Sequence, residues 1–154
     1  MQKLGGVFID IDFECFQNIE PLLENSSCVF GIEPEEHCKS FKKDIIVGNA
    51  FMACNPGNRF FEQICEKIKS VKIKEKNSFI DILESTGPFI LTEIYKNYKD
   101  KNKIKLLSPG TIYPLTVAET RRVFKGDIDE DMQHRVDNSH AVHYFLGSWC
   151  DSCV

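Results

Sequence analysis

The stretch GVFIDID at residues 6–12 is the part of the sequence from which the fold is best interpreted. Its apolar part predicts a β-strand, and its acidic end falls where open α/β sheets place their ligand sites. Residues two apart in an extended segment face the same side, so Asp10 and Asp12 can present two carboxylates to one cation, with Glu14 as a candidate third. Carboxylate oxygens are the ligands that Mg²⁺ and Mn²⁺ prefer. The alternative is an acidic strand end that only faces water.

Apolar strands and helical patterns alternate along the rest of the chain. Strands are predicted at 28–32, 45–47, 104–107 and 141–145. The spacing of apolar residues predicts helices after Pro56-Gly57 and from Pro88, and a short helical turn at 19–23. This alternation favours an α/β fold in a single domain that covers residues 1–154.

The composition restricts the classes of function. A chain of 154 residues with 42% hydrophobic and 27% charged residues has enough apolar side chains for one globular core. The net charge of −4 gives no broad positive field for a phosphate backbone, which argues against nucleic acid as a partner. The sequence shows neither a secretory signal nor a run of about 20 apolar residues that would span a membrane, which favours a cytoplasmic location for the chain as it stands.

Cysteine and histidine residues are the other candidates for metal chemistry. The seven cysteines are an odd number, which favours free thiols in a reducing compartment over a disulfide framework. The pair Cys150 and Cys153 has no second pair at the spacing of a structural zinc site. His143 lies in the apolar stretch AVHYF, where a lone histidine is more often a core residue than a ligand. It becomes a candidate ligand only beside other groups of a site.

Four motifs follow one another in the order of a known family. They are GGVFIDIDFEC at 5–15, NAFMA at 49–53 with Pro56-Gly57 and Phe60-Phe61 after it, TGP at 86–88, and AVHYFLGSW at 141–149. Together they resemble DXD-containing glycosyltransferase family 32, the group of α-1,6-mannosyltransferase-like enzymes and capsular sugar transferases. The resemblance reaches from Gly5 to Trp149, and four ordered motifs are far more specific than any one of them.

The resemblance implies a GT-A type, Rossmann-like fold that transfers a sugar from a UDP- or GDP-sugar to a glycan, lipid or protein acceptor. Such enzymes use Mn²⁺ or Mg²⁺, and the group retains the anomeric configuration. Matched position by position, Asp12 and His143 would bind the metal, and Asp10 would contact the donor and the metal shell. Asn49 would lie near the donor sugar. Ser148 and Trp149 would approach the diphosphate.

The sequence also departs from the family pattern. Family members carry several elements ahead of the Gly-Gly segment, so the chain is expected to be an amino-terminally truncated, carboxy-terminal portion of the fold. A partner chain is a candidate source of the missing strands. Asn58-Arg59 stands where the family often has histidine and proline. The polar, poorly periodic segment from Glu119 to Asn138 is expected to be a long surface loop or a lid that closes the site to water.

Two other classes of function remain open. The missing elements favour a catalytically inactive GT-A-like fragment or interaction protein, whereas the intact Asp10, Asp12 and His143 oppose it. A haloacid dehalogenase-type phosphatase would use Asp10 as a covalent nucleophile and Asp12 as a general acid. The segment from Gly126-Asp127 to Asp131 imitates the late metal motif of such a phosphatase, but the polar residues that precede it do not form an apolar strand.

Overall fold

Residues 1–72 and 78–147 are described by the structure, a computed structural model, and they form the predicted α/β fold. The strands are β1 Gly6–Ile9, β2 Phe13–Cys15, β3 Cys28–Ile32, β4 Val47–Cys54, β5 Lys105–Leu107 and β6 Ala141–His143. The helices are α1 Glu20–Leu23, α2 Glu35–Ser40, α3 Arg59–Ser70, α4 Phe79–Ser85, α5 Pro88–Asn97, α6 Pro109–Ile112, α7 Val117–Val123 and α8 Glu130–Asp137, with a 3₁₀ turn at Lys101–Lys103.

The main sheet is mixed, and its strands lie in the order β1-β4-β3-β5. β4 pairs antiparallel with both β1 and β3, whereas β3 and β5 are parallel. The strand predicted from GVFIDID is therefore present, as an exposed antiparallel strand at the edge of the sheet. β2 and β6 form a separate antiparallel pair, in which Phe13 lies opposite His143.

The core lies on both faces of β3 and β4. Successive residues of β3 point to opposite faces, so Phe30 packs under α3 and α5 while Val29 faces the opposite cluster. That second cluster joins the sheet to Tyr113 and Ala141, both almost fully buried. This cluster therefore supports β6, through Ala141, and the turn between β1 and β2, through Phe13.

The two long helices begin where the sequence predicts. The Asn58 side chain accepts hydrogen bonds from the backbone N–H groups of Phe60 and Phe61, so it caps α3. The departure from the family's histidine and proline thus has a local structural role. α5 begins with Pro88 at its first turn, as predicted, and its Thr92 hydroxyl accepts a hydrogen bond from the Val47 N–H at the start of β4.

The prediction of a loop or lid from Glu119 to Asn138 is wrong, because most of this segment is helical. Thr116 and Glu119 form a reciprocal capping box at the start of α7. α8 buries Met132 against Leu115 and Val142, and the Arg135 guanidinium of α8 donates to the Glu119 carboxylate of α7. The sequence pattern does not predict these helices, because each is short and buries little apolar surface. Ion pairs, which apolar periodicity does not reveal, join the two helices.

The thiols agree with the sequence-based prediction over the described residues. Cys15, Cys28, Cys38, Cys54 and Cys65 are free, and Cys150 and Cys153 lie outside the described part of the chain. Burial raises the pKa of Cys28 to about 12. The thiol therefore stays protonated near pH 7 and acts as a packing group rather than a nucleophile. Within residues 1–72 and 78–147, no helix has the length and apolarity needed to cross a membrane.

Candidate metal centre

Asp10 and Asp12 lie in the turn between β1 and β2. The Asp10 N–H donates to the Ala50 carbonyl at 2.9 Å, which extends the pairing of β1 with β4 by one residue. The Phe13 N–H then donates to the Asp10 carbonyl at 3.3 Å and closes the turn. The extended geometry expected for the two acids is therefore wrong from Asp10 onward, yet the turn still brings their carboxylates together.

His143 completes the cluster from the other end of the chain. It ends β6 directly opposite Phe13, so the β2–β6 pairing brings it to the turn. Its Nε2 lies 3.2 Å from Asp12 Oδ1. Asp10, Asp12 and His143 each offer one ligand atom, and these atoms all lie within 4.8 Å of one another. Residues that are more than 130 positions apart thus form one candidate cation site.

The Asp12 carboxylate is held from two sides. Its Oδ1 faces His143, and its Oδ2 accepts a hydrogen bond from the Leu146 N–H at 2.9 Å. The Asp12 carbonyl accepts another from the Tyr144 N–H at 3.0 Å. The segment after β6 therefore wraps around Asp12 and fixes its side-chain orientation.

His143 is both a core residue and a site residue. Its side chain is buried between aromatic rings, with centroid distances of 4.6 Å to Phe13, 5.7 Å to Tyr113 and 4.2 Å to Phe145. Burial lowers the pKa of His143, although the neighbouring Asp12 opposes the shift. The imidazole is therefore neutral near pH 7, as a metal ligand must be. Its Nδ1 has no hydrogen-bond partner among the described residues.

The charges of the site favour a divalent cation. Burial raises the pKa of Asp10, and the negative charge of Asp12 raises it further. Two converging carboxylates repel each other, and a cation between them removes that repulsion. Two carboxylates with one neutral imidazole suit Mn²⁺, and the oxygen ligands also suit Mg²⁺. The residues present therefore fit the metal that the sequence motifs imply.

The structure describes only some of the other residues that the sequence predicts for the site. Asn49 is half-buried in β4, next to Ala50, whose carbonyl accepts the hydrogen bond from the Asp10 N–H. Ser148 and Trp149 lie outside the described residues. Glu14 is exposed on β2, and its carboxylate accepts a hydrogen bond from the Tyr144 hydroxyl at 2.5 Å. Among the described residues, the convergent ligand group does not include Glu14.

The acidic residues of the phosphatase alternative are engaged in ion pairs. Asp127 accepts from Arg122 Nε at 2.8 Å, and Asp131 accepts from Arg135 Nε at 2.9 Å. Neither belongs to the ligand group formed by Asp10, Asp12 and His143 in the described part of the chain. The acidic residues of this motif are therefore engaged in local ion pairs, one within α8 and one between α7 and the residues that follow it.

Sequence reasoning missed a supporting layer behind the site. His37 on α2 accepts a hydrogen bond at its Nε2 from the Val117 N–H at 3.0 Å. Its Nδ1 must then carry the proton, which it donates to the Glu33 carboxylate at 3.0 Å. The His37 ring packs edge-on against Phe145 at 4.9 Å. The run EPEEH offered only a helix start as a sequence signal, because the partners of His37 come from distant elements.

Two proteins of Saccharomyces cerevisiae are similar to this chain. The mannosyl phosphorylinositol ceramide synthase CSH1 is 29% identical over 119 residues, which cover 71% of this chain and 28% of that protein. The mannosyl phosphorylinositol ceramide synthase SUR1 is 34% identical over 118 residues, with the same coverage of 71% and 28%. The chain therefore spans just over a quarter of the length of these relatives. No family model and no solved structure matches the chain. The two similarities confirm the resemblance that the four motifs carry.

Proposed function

We propose that this chain, a relative of the family 32 glycosyltransferases, binds a nucleotide-sugar donor through a divalent cation and transfers the sugar to an acceptor. The observation that carries the proposal is the convergence of Asp10, Asp12 and His143 within 4.8 Å. The mixed α/β architecture is compatible with a GT-A type fold, which we include in the proposal. Because the yeast relatives are named as mannosyl phosphorylinositol ceramide synthases, a mannosyl donor and a glycolipid acceptor are the first to test.

The proposed site assigns a role to each residue. Asp12 and His143 would hold Mn²⁺ or Mg²⁺, and Asp10 would contact the donor and the metal shell. Asn49 would face the donor sugar from β4, and Ser148 and Trp149 would approach the diphosphate. When bound, the cation would stabilise the negative charge that develops on the leaving diphosphate, as a Lewis acid. We propose retention of the anomeric configuration as part of the same assignment.

The charges of the candidate site support a dependence of donor binding on the cation. A nucleotide diphosphate is an anion, and the converging carboxylates of Asp10 and Asp12 repel it. The buried, neutral His143 adds no positive charge that would offset this repulsion. A UDP- or GDP-sugar should therefore bind weakly to the chain without a divalent cation.

The test is donor cleavage by the purified chain. We would incubate it with a panel of UDP- and GDP-sugars, with and without Mn²⁺, and quantify the released nucleotide diphosphate. Slow hydrolysis of one donor is the expected side reaction of a transferase without its acceptor. We expect release that requires Mn²⁺, is lost in Asp12→Asn and persists in Glu14→Gln, since Glu14 lies outside the ligand group. Release that is independent of Mn²⁺ and of Asp12 would contradict the proposal.

A second candidate is a catalytically inactive interaction protein that keeps the fold but lacks a functional donor site. The exposed β1 edge favours it, because Val7 and Phe8 are each 41% exposed and Ile11 in the following turn is fully exposed. Large apolar side chains at a strand edge are typical of surfaces that pair with another strand. A folded chain that gains no thermal stability from any donor in the presence of Mn²⁺, and releases no nucleotide diphosphate, would favour this function over a working transferase.

A further inference from the structure

We infer that Phe145 is a positioning residue that fixes the Asp12 carboxylate before a cation binds. The strand predicted at 141–145 ends early, at His143, because Phe145 takes a left-handed backbone conformation with φ of 50°. A residue with a side chain rarely adopts this conformation, since its Cβ crowds the backbone. The backbone turns at Phe145, and the N–H groups of both its neighbours, Tyr144 and Leu146, donate hydrogen bonds to Asp12.

The two hydrogen bonds flank Phe145 in sequence. The Tyr144 N–H donates to the Asp12 carbonyl at 3.0 Å, and the Leu146 N–H donates to Asp12 Oδ2 at 2.9 Å. In a continued strand, the N–H groups of Tyr144 and Leu146 would point to the same side, but about 6.6 Å would separate them along the strand, so Leu146 would lie beyond Asp12. The second bond to Asp12 therefore depends on the turn at Phe145. The left-handed residue therefore directs the Leu146 N–H at the carboxylate.

The Phe145 ring offsets the cost of this backbone conformation through aromatic contacts. Its centroid lies 4.2 Å from that of His143, 4.9 Å from that of His37 and 5.9 Å from that of Tyr113. His37 is itself fixed by the Val117 N–H and the Glu33 carboxylate. The ring thus packs against His143, two residues before it, and against His37 and Tyr113 from distant segments, and these contacts stabilise the turn.

The functional consequence is preorganisation of the candidate cation ligand. Oδ2 of Asp12 is engaged by Leu146 and Oδ1 faces His143, so the carboxylate is already oriented toward the shared site. A ligand that is ordered in advance loses less conformational freedom when it binds. The effect on cation affinity rests on the proposed function, whereas the contact between Leu146 and Asp12 does not.

The test compares substitutions at two left-handed positions. Phe145→Val removes the ring and introduces a β-branched side chain that disfavours the left-handed conformation. Phe145→Tyr keeps the ring and should behave like the original chain. Lys42→Val places the same strain at φ of 52° on an exposed residue just after α2, outside the ligand group, and serves as the matched control.

The first measurement is hydrogen exchange of the Leu146 amide by NMR, without any cation. We expect exchange to accelerate about tenfold in Phe145→Val and to stay unchanged in Phe145→Tyr and Lys42→Val. Phe145→Gly replaces the valine variant if that protein does not fold, because glycine tolerates the left-handed conformation and lacks only the ring. We expect exchange of the Leu146 amide to accelerate in this variant too. Unchanged Leu146 protection in a folded Phe145→Val or Phe145→Gly protein would overturn the inference.

The second measurement is Mn²⁺ affinity by calorimetry for the same variants. We expect about tenfold weaker binding in Phe145→Val and original affinity in Phe145→Tyr and Lys42→Val, as for other residues that orient metal ligands. If the original chain binds no Mn²⁺, the proposed function fails, and amide exchange still decides the role of Phe145. If the original chain binds Mn²⁺ and Phe145→Val binds it equally well, the positioning role fails alone.

Discussion

Replacing Asp12 by Asn is expected to weaken Mn²⁺ binding by about 100-fold or more while the chain stays folded. Asp12 contributes a carboxylate to the ligand group, and an amide oxygen is a much weaker ligand without the negative charge. The substitution keeps the size and shape of the side chain. An amide oxygen can still accept from the Leu146 N–H, which an alanine cannot, so the turn after β6 should persist.

The Asp12 prediction is checked by Mn²⁺ titration calorimetry together with thermal unfolding. Glu14→Gln is the matched control, because it also removes one negative charge close to the site without touching the ligand group. We expect the control to bind Mn²⁺ like the original chain. Equal Mn²⁺ affinity for Asp12→Asn and the original chain would show that Asp12 is not a ligand.

Replacing Gly31 by Ala is expected to lower the free energy of unfolding by about 3 kcal/mol, a large effect for one added methyl group. A Cβ at this position would lie 2.4 Å from Tyr113 Cε2 and 2.5 Å from Ile112 Cδ1. Tyr113 and Ile112 are 1% and 0% exposed, so neither can move aside into solvent. Since Tyr113 also packs against His143, its displacement should weaken the cation site as well.

Urea unfolding measures the effect of the Gly31 substitution, and Gly110→Ala is its control. A Cβ at Gly110, in α6, meets no atom within 4 Å, so this variant should be as stable as the original chain or slightly more stable. A Gly31→Ala protein with unchanged stability would mean that Tyr113 and Ile112 are not packed against β3 as described.

The parts of the fold that were predictable from the sequence are those set by local patterns. α3 and α5 combine apolar periodicity with an Asn or Pro start signal, and β3 is a continuous apolar run. Strand direction and order were not predictable, because pairing depends on contacts between distant residues. α7 and α8 were not predictable from apolar periodicity, because their stability depends on capping and on the contact between Glu119 and Arg135.

The candidate site was predictable to a similar extent. The candidates Asp10, Asp12 and His143 follow from the resemblance of the ordered motifs, and the structure brings all three together. The extended geometry that the sequence predicts for the two acids is wrong, since a turn rather than a strand makes their carboxylates converge. Glu33, His37 and Phe145 were not identified, because their importance depends on which groups the fold places beside them.

The most direct test of the proposed cation site is pulsed electron paramagnetic resonance of Mn²⁺ bound to the chain, compared with His143→Gln. A nearby imidazole nitrogen produces a characteristic coupling to the Mn²⁺ electron spin. The arrangement of Asp10, Asp12 and His143 predicts saturable Mn²⁺ binding with this coupling, and its loss in His143→Gln. No saturable Mn²⁺ binding by a folded chain, or a coupling that persists in His143→Gln, would contradict the account.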